Sequence, residues 1–167
     1  MLRAIVAALS VALLVALDQL TKWMTWTFIP LDTGMDVLPG LDFAHVHNEG
    51  IAFSMFDGAG RWPLLLLATG VLAVVLYLWR QAPPGRWLAQ AGFALIVAGA
   101  LGNIIDRAAW GYVVDMIALT FPRPGGGTWS FAVFNVADSY ISIGAACVIV
   151  DELVLWVQDR RQRKEAS

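Results

Sequence analysis

The sequence predicts an all-α membrane protein: a four-transmembrane-helix bundle with a small extracytoplasmic β-subdomain and an outer loop or lid. Three observations carry this expectation. Of the 167 residues, 59% are hydrophobic and only 14% charged, and the mean hydropathy is +0.67. A soluble domain carries about 25% charged residues. One small core cannot absorb that apolar excess, but a bilayer can. Four apolar stretches also approach the roughly 20 residues needed to cross a bilayer. Finally, the basic residues gather at one set of stretch ends.

Residues 4–17 are apolar except for Ser10, and the first span is expected over about 4–24. Arg3 before an apolar run is also how a secretion leader begins, but no small-x-small cleavage site is evident. The run passes instead into Asp18-Gln19-Leu20-Thr21-Lys22, so a retained helix is expected. The second and third spans, 62–79 and 87–105, contain no charge. Residues 131–150 contain one, Asp138, and the fourth span is expected over 131–157. Each must be helical, because lipid leaves the backbone no other partner. Several of the eight Trp residues flank these runs, where interfacial aromatics belong.

Seven of the 11 basic residues (Arg3, Arg80, Arg86, Arg160, Arg161, Arg163 and Lys164) lie at one set of span ends. The positive-inside rule places both termini and the 80–86 connection in the cytoplasm. Residues 25–61 then face outward and are rich in β-formers, Gly and Pro. Phe43-Ala44-His45-Val46-His47 alternates like a strand. Residues 106–130, with Pro122, Pro124 and Gly125-Gly126-Gly127, read as a mobile outer loop. The net charge of −2 provides no basic surface for nucleic acid. The single cysteine, Cys147, has no partner for an internal disulfide and reads as a small core hydrophobe.

Polar groups on a spanning helix are costly and are functional candidates by default. Here they fall into four clusters at the outer side. Asp18 and Lys22, at i and i+4, share a helix face. They serve either as a structural ion pair or in direct contact with substrate. His47-Asn48-Glu49-Gly50-Ile51-Ala52-Phe53 combines an amide that both donates and accepts with a glycine that permits a tight turn. Asn103, Asp106 and Arg107 share a face at the end of the third span, and Arg107 forks well onto a carboxylate or carbonyl. Asp115 follows in the apolar context Tyr112-Val113-Val114-Asp115-Met116-Ile117. In Phe134-Asn135-Val136-Ala137-Asp138-Ser139, Asn135 and Asp138 share a face, with Asp138 expected about 10 Å into the span at roughly 1.5 Å per residue. Asp32, Asp36, Asp42 and Asp57 read as solvated loop residues, Asp151, Glu152 and Asp159 as boundary charges, and Asp18 and Asp106 as supporting groups.

Asp115 and Asp138 are the carboxyls best placed for chemistry. Two adjacent carboxyls in apolar surroundings cannot comfortably both ionise, so one keeps a proton while the other acts as a base. Such a pair can activate water against an amide. Two membrane carboxylates equally suit a small proton-coupled transporter, and a non-catalytic scaffold is a third reading. Other chemistries lack their residues. There is no H-E-x-x-H, and His45 and His47, expected to be partly exposed loop residues, have no third ligand, so no metal is expected. There is no G-x-S-x-G, and the triple glycine lacks the Lys-Ser/Thr of a phosphate loop. No cofactor is expected.

Taken together, D-Q-x-T-K, N-x-G-x-A-F, G-N-x-x-D-R, V-V-D and F-N-x-A-D-S, in that order from Asp18 to Ser139, resemble the prolipoprotein signal peptidase (signal peptidase II) family. The resemblance implies an aspartyl endopeptidase of the bacterial cytoplasmic (inner) membrane. Its substrates are prolipoproteins, cleaved just before a cysteine bearing a diacylglyceryl group, and the cyclic peptide globomycin inhibits it. It places the catalytic pair at Asp115 and Asp138, with Asp18, Lys22, Asn48, Gly50, Asn103, Arg107 and Asn135 binding substrate or supporting the site. None of these positions departs from the family pattern. The triple-glycine region matches no motif. The expected partners are the lipidated substrate and membrane lipid, and nothing in the sequence demands more than a monomer.

Overall fold

In a computed structural model the described residues are 1–50 and 62–165. The chain forms α1 (Leu2–Phe28), β1 (Gly34–Leu38), β2 (Leu41–Asn48), α2 (Trp62–Gln81), α3 (Trp87–Ala109), β3 (Val113–Pro122), β4 (Thr128–Ser130) and α4 (Val136–Glu165). All four helices are long and apolar enough to cross a membrane. Their outward faces carry exposed Leu9, Leu13, Leu66, Val74, Ile149 and Leu153, as lipid-facing surfaces do.

The core lies along α3, against which the other three helices pack. Its inward face is built of small residues. A Cβ on Gly92 would come within 2.7 Å of the Gly144 carbonyl on α4, and one on Gly144 within 2.5 Å of the Gly92 carbonyl. Small residues let spanning helices approach closely enough for backbone van der Waals contact.

The four strands form one antiparallel sheet in the order β1-β2-β3-β4. Gly40, at φ +85°, makes the β1–β2 turn, where any Cβ would strike the Thr120 carbonyl. The β2–β3 register sets Val46 opposite Asp115 and Asn48 opposite Val113. This sheet sits at the end of the bundle where α1 and α3 finish and α4 begins.

Residues 106–130 are not a mobile loop. They complete α3 and then supply β3 and β4, because the β-branched apolar run after Tyr112 finds a partner in β2. The triple glycine is a tight turn closed by Arg123 N–H to Gly127 O at 3.0 Å and Gly126 N–H to Arg123 O at 3.1 Å. The fourth helix begins at Val136 rather than near 131, because Phe131 donates to Leu119 O and Phe134 bridges Ile117, keeping this stretch extended. Asp138 consequently stands in the first turn of α4 rather than about 10 Å along it. The other helices run past their expected ends, to Phe28, Gln81 and Ala109. His45 is buried rather than a partly exposed loop residue. Its Nδ1 donates to Ile29 O at 2.8 Å, and its Nε2 lies 3.2 Å from His47 Nε2. Ile51, Ala52 and Phe53 of the second cluster, together with Asp57 and Arg61, lie outside the described residues.

Candidate active site

Asp115 comes from β3 and Asp138 from α4, and two asparagine amides bridge them. Asn135 Nδ2 donates to Asp115 Oδ1 at 2.7 Å and to Asn103 Oδ1 at 3.3 Å. Asn103 Nδ2 in turn donates to Asp138 Oδ1 at 2.8 Å. Each amide is oriented by what its own oxygen accepts. The Asn103 oxygen takes a hydrogen bond from Lys22 Nζ at 3.0 Å, and the Asn135 oxygen takes one from Asp138 N–H at 2.9 Å. With its oxygen claimed by a donor, each amide must turn its NH2 toward a carboxylate.

Asn135 and Asp138 also form a reciprocal helix cap. Asn135 N–H donates to Asp138 Oδ2 at 3.2 Å while the Asn135 side chain receives the Asp138 N–H. This is the capping-box arrangement, which satisfies two otherwise orphaned N–H groups. It places the Asp138 carboxylate at the positive end of the α4 dipole.

Asp115 is almost fully buried, with 2% of its surface exposed. Asn48 Nδ2 donates to its Oδ2 at 2.9 Å. The Asn48 oxygen is held by Gly50 N–H at 2.9 Å, a turn requiring the positive φ that Gly50 adopts. Burial pushes the Asp115 carboxyl up to about 6; the Asn48 and Asn135 hydrogen bonds oppose this and the Asp138 charge adds to it. Asp138 is less deeply buried.

Beneath the pair lies an ionic cluster. Lys22 Nζ is 2.9 Å from both Asp18 Oδ2 and Asp106 Oδ2, so its three protons go to Asp18, Asp106 and Asn103. Asp18 Oδ1 accepts Ala137 N–H at 2.9 Å and caps another α4 donor. Asp106 Oδ2 accepts Val114 N–H at 3.3 Å, tying α3 to the strand that carries Asp115. Gln19, which the sequence reading did not single out, donates to Asp106 Oδ1 at 2.9 Å and Asp18 Oδ2 at 3.2 Å. Its neighbour Asp18 was the available signal: a polar pair at the end of a span needs a buried polar partner on another helix. Asp18 and Lys22 are thus engaged within the protein.

Arg107 differs from them. It is partly buried and feels the charges of Asp138, Asp115 and Asp106, yet among the described residues its side chain makes no hydrogen bond or ion pair. Its guanidinium has donors to spare beside the two carboxyls. All nine predicted site residues fall at this one end of the bundle, and seven of them (all but Gly50 and Arg107) join side chain to side chain. No group of three or more His, Cys, Asp or Glu able to hold a metal occurs among the described residues.

Comparison with known proteins fits this geometry. The family model described as Signal peptidase (SPase) II matches residues 10–154. The chain is 46% identical over 160 residues to the lipoprotein signal peptidase of Mesorhizobium japonicum, covering 96% of this chain and 90% of that protein. It is 42% identical over 147 residues to the lipoprotein signal peptidase of Sinorhizobium fredii, covering 88% and 86%. A bacterial membrane enzyme solved by the in meso method at 1.9 Å resolution superposes with a TM-score of 0.77 at 29% identity, over 89% of this chain and 92% of that one. Nothing in these comparisons supports a proton-coupled transporter. With four spanning-length helices and this likeness over nearly the whole chain, the protein belongs to the signal peptidase II family.

Proposed function

We propose that the protein is an intramembrane aspartyl endopeptidase that removes the signal peptide from diacylglyceryl-modified prolipoproteins, cutting just before the lipidated cysteine. The observation that carries this reading is the Asn135–Asn103 relay holding Asp115 and Asp138 from separate elements at one end of a membrane bundle. Such a site lies near the membrane surface, where a lipid-anchored substrate presents its scissile bond. By the positive-inside rule this is the outer face of the bacterial cytoplasmic membrane, with both termini cytoplasmic.

In the proposed reaction, Asp138 acts as the base, being the more accessible carboxylate. It takes a proton from a water whose oxygen adds to the scissile carbonyl carbon. Asp115, buried and raised to about 6, supplies a proton to the carbonyl oxygen. Collapse of the tetrahedral intermediate breaks the C–N bond as Asp138 passes its proton to the leaving nitrogen and a hydroxyl of the intermediate returns one to Asp115. The products are a new carboxylate on the signal peptide and a free amino group on the cysteine. Arg107 has unused donors for substrate carbonyls, and Asn48, Asn103 and Asn135 hold the carboxyls in place. Asp18 and Lys22 set the position of Asn103 and of the α4 N-terminus.

The test uses Asp115→Asn and Asp138→Asn separately, purified and reconstituted with a diacylglyceryl prolipoprotein. Loss of about 10²–10⁴-fold in turnover is expected for each, the size of a general acid–base contribution. Substantial turnover by either well-folded variant would sink the dyad. Globomycin should raise the melting temperature of the unmodified protein, since the inhibitor would occupy the same site.

A further inference from the structure

At the end of the bundle away from the aspartates, the structure contains a recess. α1 and α2 both pack on α3 but scarcely touch each other, which leaves a groove of about 1370 Å³ between them. Its walls are small and apolar, with Ala8, Ala12, Ala91 and Ala94 among them. It follows α1 from Leu2 to Ala16 and α3 from Trp87 to Leu101, about 20 Å on each helix at ~1.5 Å per residue. That is about two-thirds of a hydrocarbon core about 30 Å thick. The groove therefore spans the leaflet opposite the aspartates and reaches past the midplane.

Its mouth is charged. Arg3 and Arg80 both line it, and among the described residues neither has an ion-pair partner. Three acids at this end are engaged elsewhere: Asp151 and Glu152 hold Arg86 at 2.5 and 2.7 Å, and Asp159 holds Arg163. One wall of the mouth is fixed in place, since Trp79 Nε1 donates to Gln90 Oε1 at 2.6 Å while Gln90 Nε2 donates to Ala82 O at 3.0 Å. A preformed apolar slot with convergent polar groups at one end is how lipid and small-molecule sites are built.

We propose that this groove is a binding site for an anionic phospholipid. An acyl chain lies between α1 and α3, and the phosphate headgroup sits between Arg3 and Arg80. Basic pockets between spanning helices hold anionic headgroups in this way. Charge chooses among the possible occupants. A signal-peptide helix carries positive residues at its start, and two unpaired guanidinium groups at the mouth repel it. A zwitterionic lipid brings its own cation and gains less. The site shares no residue with the aspartate pair, so its occupancy is measurable without reference to turnover.

The test is native mass spectrometry of the full chain in detergent, titrated in parallel with phosphatidylglycerol and phosphatidylcholine. One phosphatidylglycerol is expected to bind at least about tenfold more tightly than phosphatidylcholine. At ~1 kcal/mol per basic residue near anionic lipid, with tenfold per 1.4 kcal/mol, the Arg3→Gln/Arg80→Gln double variant should lose about 30-fold in affinity for phosphatidylglycerol. Its phosphatidylcholine binding should be unchanged, and the Arg3→Lys/Arg80→Lys variant should keep most of the preference. An unchanged melting temperature in phosphatidylcholine alone shows that the variants fold. Equal binding of the two lipids by the unmodified protein overturns the proposal. So does undiminished phosphatidylglycerol binding by the Gln variant, or one-for-one displacement of the lipid by a synthetic unlipidated signal peptide.

Discussion

Replacing Asp115 by Asn removes a charge that the folded protein carries at a cost. The carboxyl is raised from 3.8 to about 6, chiefly by burial. A carboxyl whose folded pKa exceeds its unfolded value contributes stability fully below the unfolded value and loses it as pH rises through the folded one. For Asp115 the loss therefore falls between about pH 4 and pH 6. At 1.36 kcal/mol per pH unit it amounts to at most about 3 kcal/mol. Asn has nearly the shape of the protonated acid, but the Asn48 and Asn135 amides both donate here, so its NH2 faces a donor where a protonated hydroxyl oxygen could still accept. The Asn variant should therefore be the less stable near pH 4, by about 1–3 kcal/mol for the unmatched hydrogen bond. Between pH 4 and pH 8 the balance should shift toward the Asn variant by about 3 kcal/mol, or roughly 6–12 °C in melting temperature for a chain of this size. The assay is thermal unfolding of both proteins in one detergent from pH 4 to 8, with turnover measured alongside. A gap that stays constant across this range would refute the reasoning, because Asp115 would then ionise as freely in the fold as out of it. An inactive variant whose relative stability grows as pH rises is what a functional site held against its own stability should give.

Four further outcomes are expected. The free-enzyme kcat/KM should fall on the alkaline side from about pH 6, where Asp115 loses its proton; in Asp138→Glu, if active, that limb should move only slightly. Lys22→Met should cost about 3–5 kcal/mol, because it leaves Asp18 and Asp106 buried without their cation. Adding Asp18→Asn and Asp106→Asn to that variant should recover much of the loss in chemical unfolding. Asn135→Ala should cost about 1–2 kcal/mol as a lost helix cap, and should also lower kcat, because the Asp115 carboxylate loses a donor at 2.7 Å. Gly144→Ala should destabilise by about 1–3 kcal/mol in thermal melts, since its Cβ meets the Gly92 carbonyl at 2.5 Å and the α3–α4 seam must open.

The membrane class and the number of spans were legible in the sequence because they depend on local composition. A run of some 20 apolar residues has no other place to go, and lipid forces each such run into a helix. The candidate residues were legible for a related reason: a polar group on such a run stands out against its background, and five short motifs in fixed order are specific together. Asp18, Asn103, Asp106, Asn135 and Asp138 were all visible in this way.

Pairing, by contrast, could not be read along the chain. The turn residues of 106–130 suggest a loop, but pairing with β2, more than sixty residues away, makes the Asp115 half of β3 a strand and helps to bury it. The start of α4 depends on Phe131 and Phe134 pairing with β3, which moves Asp138 from mid-helix to a cap. Lys22 offers a choice that sequence leaves open, between holding a substrate and holding the fold. Three acceptors from α1 and α3 around its ammonium favour the fold. Local sequence decides which residues the membrane cannot tolerate unpaired. Which of them pair with one another depends on long-range register and helix packing, and so does the strength of a carboxyl as an acid, since burial and hydrogen bonds are properties of the assembled structure rather than of any segment.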